Sequence, residues 1–142
     1  MPTTLCFDFG NTRMKCAVFT KNEFTGEHVL EDDSEGTIRK LIDQYHPDKS
    51  ILSSVIQHNP AMESLLAQHT KFHKLGHTSR LPVTTPVGKP ETIGADRLAL
   101  VVAATHLFPG RNNLVIGLGS AITYNYINKY KEFIGGGISP AS

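Results

Sequence analysis

The chain has 142 residues, with 14 Lys plus Arg against 13 Asp plus Glu and a formal net charge of +1. That length holds one domain or two small lobes. Near-neutral charge and the lack of any basic run interleaved with aromatics exclude nucleic acid as the expected partner. No apolar stretch approaches the ~18–20 residues of a membrane span, so no membrane partner is expected. The N-terminus runs directly into a strand pattern without a leader, and the expected location is the cytoplasm.

Residues 4–9 and 13–19 predict a β-hairpin around Gly10-Asn11. Cys6 and Cys16 fall nearly opposite each other in it and are expected as small buried thiols, not a disulfide. A third strand is expected over 24–30, after a Lys21-Asn22 turn. Ser34 caps a helix that runs to Tyr45, with Ile38, Leu41, Ile42 and Tyr45 at helical spacing and Pro47 ending it. Residues 50–56 read as a short buried strand. Asn59-Pro60 opens a second helix with Met62, Leu65 and Leu66 on its apolar face. Residues 70–92 hold three prolines and little periodicity and read as an irregular connection. A largely buried helix is expected over 92–108, stopped by Pro109-Gly110.

The opening hairpin then recurs. The stretch from Leu5 to Phe19 matches the stretch from Leu114 to Asn128: an apolar run, a glycine turn, a second β-prone run. The match continues at the same offset, without a gap, from Glu23-Phe24-Thr25-Gly26 to Glu132-Phe133-Ile134-Gly135. One hairpin used twice implies a duplicated fold with two facing phosphate-binding turns. The copies differ at one chemically decisive position, where Asp8 in the first is Gly117 in the second.

Asp8-Phe9-Gly10-Asn11-Thr12 places a carboxylate at a strand end ahead of a tight turn. Backbone N–H groups at such a turn can converge on phosphate oxygens, with Asn11, Thr12 and Lys15 adding donors. Asp8 carries the charge of phosphate, so its expected role is to hold Mg²⁺ through water. Gly117-Leu118-Gly119-Ser120-Ala121 superficially resembles a dinucleotide fingerprint, but Ile122 stands at the third glycine and a strand follows, where that motif needs a helix. Gly88-Lys89 lacks the rest of a P-loop. Gly94-Ala95-Asp96-Arg97 opens the long helix with a carboxylate and a guanidinium side by side. Asp96 is a candidate general base for a substrate hydroxyl and Arg97 a guide for an anionic group; a dipole-stabilising acid beside a surface arginine is the simpler alternative. His69, His73 and His77 recur every four residues, but Gly76 and a loop-like context argue for solvated histidines over a zinc site.

Asp8-x-Gly10-Asn11-Thr12-x-x-Lys15, Ser53-Ser54-Val55, the run from Pro90 to Arg97, the second glycine hairpin and the run from Gly135 to Pro140 occur in an order that resembles type III pantothenate kinases. These belong to the acetate kinase–sugar kinase–Hsp70–actin superfamily. The resemblance covers essentially the whole chain. It implies an α/β fold of actin-like, ribonuclease H-like type, a mixed sheet with flanking helices. Residues 1–110 would form the first lobe and 111–142 the start of a second, incomplete one. It implies ATP-dependent phosphorylation of the primary hydroxyl of pantothenate, on the way to coenzyme A, by a homodimer. ATP would be held by Asp8, Gly10, Asn11, Thr12, Lys15, Gly119 and Ser120, with Mg²⁺ at Asp8. Pantothenate would be held by Gly94, Ala95, Asp96 and Arg97, with Asp96 as base.

The resemblance also implies a potassium ion beside an aspartate at the second turn. That aspartate is Gly117 here, the usual threonine is Ser120, a later acidic position is Asn125, and a usual tyrosine is Val87. Restoring Asp at position 117 is expected to raise activity and bring potassium dependence. Two other readings stay open: a non-catalytic relative that binds nucleotide or pantothenate, and a kinase for another hydroxyl substrate.

Overall fold

The structure is a computed structural model that describes residues 2–86 and 90–140. It divides into two compact units, Met1–Leu75 and Gly76–Ser142.

In the first unit, strands β1 (Thr3–Phe9), β2 (Met14–Thr20) and β3 (Glu23–Leu30) form an antiparallel meander. Helix α1 (Glu35–Tyr45), strand β4 (Lys49–Ser54), helix α2 (Pro60–His69) and strand β5 (Lys71–Lys74) follow. The sheet order is β3-β2-β1-β4-β5, with β4 parallel to both β1 and β5. Parallel neighbours need a long crossover, and α1 and α2 supply helical ones. Alternation along β1 decides which face they cover. Leu5, Phe7 and Phe9 are buried and share a core with Ile38, Leu41 and Ile42 of α1 and Met62, Leu65 and Leu66 of α2. Thr4, Cys6 and Asp8 point the other way.

The helix ends follow the capping residues. Ser34 Oγ accepts from Thr37 N at 3.3 Å, and Asn59 Oδ1 accepts from Ala61 N at 3.1 Å. Helix α1 ends directly ahead of Pro47: the cap residue His46 adopts a left-handed conformation (φ 44°) and donates its N–H to Ile42 O at 2.8 Å. Lys21 and Asn22, with φ of 52° and 65°, form the tight β2–β3 turn.

The second unit holds a 3-10 turn (Pro90–Thr92), helix α3 (Ala95–Leu107) and a meander of β6 (Asn113–Leu118), β7 (Ala121–Ile127) and β8 (Phe133–Pro140). Val83-Thr84 joins this sheet through Thr84 N to Lys131 O and Phe133 N to Thr84 O. Helix α3 packs on β6 and β7 and groups with them in the second unit.

Three local expectations change. Residues 70–92 are not wholly irregular, because β5 adds an edge strand beside β4. With four residues and one apolar side chain, Phe72, it has no readable period. Helix α3 begins at Ala95, since the backbone first makes the 3-10 turn and then caps at Gly94. The repeat is not gap-free in space. Phe9 pairs with Met14 across four turn residues, but Leu118 pairs with Ile122 across three. The following turn is correspondingly longer, so the offset recovers by β8. Between the two turns every β7 side chain is displaced to the face opposite its sequence counterpart in β2.

Both thiols are free, as expected. Cys6 pairs in register with Ala17 and Cys16 with Phe7, so the two sulfurs lie on opposite faces of the sheet. Burial, reinforced by the neighbouring Cys6, pushes the Cys16 thiol up to about 12. A folded-state value above the unfolded one contributes stability below about pH 9, lost as pH rises toward the folded value. The urea midpoint is therefore expected to fall between about pH 8 and about pH 10.5, and Cys16→Ala to flatten that slope. Equal slopes in both proteins would contradict the assignment.

Candidate active site

In the first unit, the strand period that buries Phe7 and Phe9 exposes Asp8 at the sheet's end. Its register partners are Lys15 on β2 and Ser53 on β4. Lys15 Nζ lies 4.0 Å from Glu27 Oε1, a half-exposed pair whose attraction water largely screens. Ser53 Oγ is buried and makes no hydrogen bond among the described residues. The turn closes through Gly10 N to Arg13 O at 2.9 Å. Above it opens a cleft of about 220 Å³ lined by Gly10, Asn11, Thr12, Arg13, Met14, Val29, Leu30, Glu31 and Ile56. Of the residues singled out in the sequence, Gly10, Asn11 and Thr12 line this cleft, and Asp8 and Lys15 stand on the strands that flank the turn. The apolar side of the cleft, Met14, Val29, Leu30 and Ile56, was not foreseen, because each reads as an ordinary strand or loop residue.

A brace stands behind this turn. His58 packs edge-on against Phe9 at 6.1 Å, its Nδ1 lies 3.0 Å from Ser54 Oγ, and its Nε2 lies 2.6 Å from Glu63 Oε2. Lys74 Nζ donates to the same carboxylate oxygen at 3.2 Å. Burial pushes Glu63 up, but the bonds from His58 and Lys74 outweigh it and hold the carboxyl below its ordinary range. The grouping resembles a serine–histidine–acid triad in composition only. Ser54 Oγ already donates to Ile56 O at 3.0 Å, so its proton is not offered to the imidazole.

In the second unit, Gly94 caps α3 without a side-chain bond, and Asp96 sits half-buried in the first turn. Arg97 is fixed from several sides. Its Nε donates to Asn125 Oδ1 at 2.6 Å, its Nη2 reaches Tyr124 O at 3.5 Å, and its guanidinium lies over Phe133 at 5.7 Å. Asn125 is fully buried and uses its amide completely, donating to Val115 O at 3.2 Å and to Thr123 Oγ1 at 3.1 Å. Ile93, Arg97, Phe133, Gly135 and Gly136 line a second cleft of about 210 Å³. Gly136 is required by close approach, since a Cβ there would overlap the Tyr124 carbonyl. The role of Asn125 was missed; its one sequence signal is an amide inside a β-prone run, where Asn is depleted.

Gly117, Gly119 and Ser120 lie at the β6–β7 turn, which closes through Gly119 N to Ala121 O at 3.1 Å. His69 ends α2, His73 is in β5 and His77 lies in a turn, so the three histidines share no helix face. Val87 lies outside the described residues.

The residues fit one implied cofactor and not another. Asp8, the open cleft and the orphan Ser53 hydroxyl suit a phosphate chain with a hydrated Mg²⁺, although no metal-binding group of three acids, histidines or cysteines occurs among the described residues. A potassium ion at the second turn does not fit. Gly117 brings no carboxylate, Asn125 is neutral and fully bonded, and the Arg97 guanidinium already provides the positive charge. A Cβ on Gly117 would stand 2.5 Å from Thr123 Oγ1 and 3.0 Å from Leu100 Cδ1. Restoring an aspartate therefore forces the Thr123 hydroxyl away from Asn125, and the simple gain expected for that change does not follow from this geometry.

Gly117→Asp is expected to destabilise the chain by about 1–3 kcal/mol in urea, as overpacking does. The melting temperature of the natural chain is expected to be equal in potassium and tetramethylammonium chloride at one ionic strength. A rise specific to potassium would contradict the assignment.

The type III pantothenate kinase family matches residues 4–141. A type III pantothenate kinase of Christiangramia forsetii is 36% identical over 138 residues, covering 96% of this chain and 57% of that protein. One of Bacteroides fragilis is 37% identical over 141 residues, covering 96% and 56%. The chain thus spans somewhat over half the length of the curated relatives it matches. A Ppx/GppA phosphatase structure from Aquifex aeolicus aligns with 99% of this chain and 52% of its own, at a TM-score of 0.52 and 12% identity, which bears on the fold alone. Its likeness accords with the expected actin-like α/β architecture. The chain belongs to the type III pantothenate kinase family.

Proposed function

We propose that the chain takes part in ATP-dependent phosphorylation of pantothenate to 4'-phosphopantothenate. The observation that carries this reading is the family match over residues 4–141, joined to a strand-end carboxylate, Asp8, ahead of a turn whose Gly10, Asn11 and Thr12 line an open cleft. ATP with Mg²⁺ supplies the phosphoryl group. Asp8 orients the water shell of the metal, while Asn11, Thr12 and the turn backbone bind phosphate oxygens. Lys15 adds a positive charge on the strand facing Asp8. Gly119 and Ser120 offer a second set of turn donors. Gly94, Ala95 and Arg97 position pantothenate, and an Asp96 carboxylate oxygen accepts the proton of its primary hydroxyl. A homodimer in the cytoplasm is part of the same reading, as the family resemblance suggests.

The neutral Gly117 and Asn125 favour a second reading, a relative that binds nucleotide or pantothenate without turnover. Phosphoryl transfer rests on positioning and charge neutralisation, and loss of one such group commonly costs on the order of a hundredfold in rate.

Asp96→Asn separates a base from a structural acid. The expected result is loss of turnover by about a hundredfold or more, with ATP affinity by calorimetry nearly unchanged. Parallel loss of binding and turnover would make Asp96 structural.

A further inference from the structure

Two walls of the cleft above the first turn come from separate parts of the chain: the turn itself, from Gly10 onward, and Ile56 beyond β4. His58 touches the residues behind both. Its ring packs on Phe9, the residue before Gly10, and its Nδ1 lies 3.0 Å from Ser54 Oγ. Ser54 Oγ in turn holds Ile56 by both main-chain groups, donating to Ile56 O at 3.0 Å and accepting from Ile56 N at 3.4 Å. Val55 N donates to Phe9 O at 3.0 Å and ties the two walls together. The ring has little freedom of its own. The next residue, Asn59, donates its N–H to Asp33 Oδ2 at 2.6 Å and its Nδ2 to Asp33 O at 3.2 Å. The His58 side chain is 8% exposed.

Counting donors sets the charge on this ring. The Ser54 proton goes to Ile56 O, so Ser54 Oγ accepts from Nδ1. On the other side Nε2 lies 2.6 Å from Glu63 Oε2 of α2, an oxygen of an ionised carboxylate that also accepts. Two acceptors need two N–H donors, and an imidazole carries both only as imidazolium. The other groups packed against it are compatible with that charge. Phe9 from β1 and Ser54 from β4 are neutral. Lys74 from β5 donates to the same Glu63 oxygen at 3.2 Å, but its side chain is 55% exposed and water screens its repulsion of the ring.

A neutral ring cannot keep these bonds. It has one N–H, and if Nε2 holds that proton against the carboxylate, Nδ1 turns a lone pair toward Ser54 Oγ. The Ser54 hydroxyl then swings its proton to Nδ1 and lets go of Ile56 O. We infer that the His58 imidazolium is a positioning group that sets the spacing of the two cleft walls, and that loss of one ring proton loosens Ile56 and weakens binding in the cleft. That the bound molecule is the phosphate chain of ATP rests on the kinase reading; the coupling of ring to wall does not.

The test uses the full chain labelled with ¹⁵N. Magnetic resonance follows the His58 ring nitrogens and the Gly10 and Ile56 amides against pH, and calorimetry reads MgATP affinity over the same range. The expected result is that both amides shift with the midpoint of the His58 ring, and that ATP affinity falls about tenfold across it. In Ser54→Ala the ring still titrates, but the Ile56 amide no longer follows it. His58→Gln has an amide that cannot donate at both ends, so it is expected to bind ATP about tenfold more weakly at the acidic end and to lack the step. Ile38→Val, in the same core but away from the cleft, is expected to leave the step in place. Gly10 and Ile56 amides indifferent to the ring proton would overturn the inference, as would an unaltered step in His58→Gln. If ATP binds at no pH, the kinase reading fails, and the amide coupling alone decides this inference.

Discussion

Side chains on a strand alternate between two faces, and each unit depends on which residue of β1 or β6 falls on which side. In the first unit, burying Leu5, Phe7 and Phe9 beneath α1 and α2 obliges Asp8 to face outward at the strand end. The core and the candidate phosphate turn are therefore two sides of one choice. A one-residue slip in β1 would bury the carboxyl group, at a cost of several kcal/mol that is a large share of a small domain's stability, and would expose two phenylalanines. The brace of His58, Ser54, Glu63 and Lys74 secures Phe9, the last buried residue before the turn.

The second unit applies the same rule to a different end. Its shorter turn moves Asn125 and Ile127 to the side of α3, and there Asn125 joins Arg97, Val115 and Thr123. A buried amide with all its bonds made is compatible with stability, whereas a buried carboxylate there would face the Val115 carbonyl. Gly117 beside this network leaves space that the Thr123 hydroxyl fills. Neutral residues at both positions and a fixed guanidinium form one consistent arrangement. It replaces the acidic one that the family resemblance implied, and this is why no potassium site fits.

Much of this was legible in the sequence. The hairpins, both capped helices and the Asp8 turn followed from period, capping residues and turn residues, because each is a local signal. The short strand β5 was not legible, since its four residues are fixed by pairing with β4 and not by their own pattern. The turn slip was hidden because two opposite changes in loop length cancel, leaving the offset intact on either side of β7. The Asn125 network was hidden because its partners, Arg97 and Val115, are remote in sequence. The Arg97 cleft also depends on Gly136, whose close approach to Tyr124 exists only across a strand pair.

The central claim is that a family member with a neutral second turn still carries a working phosphate turn and base in Asp8 and Asp96. The most direct measurement is coupled ADP release with ATP, Mg²⁺ and pantothenate, using the longest natural form of the chain. The account predicts turnover that depends on pantothenate and is indifferent to potassium. ATP or pantothenate binding without any pantothenate-dependent ADP release would contradict it and leave a binding relative in its place.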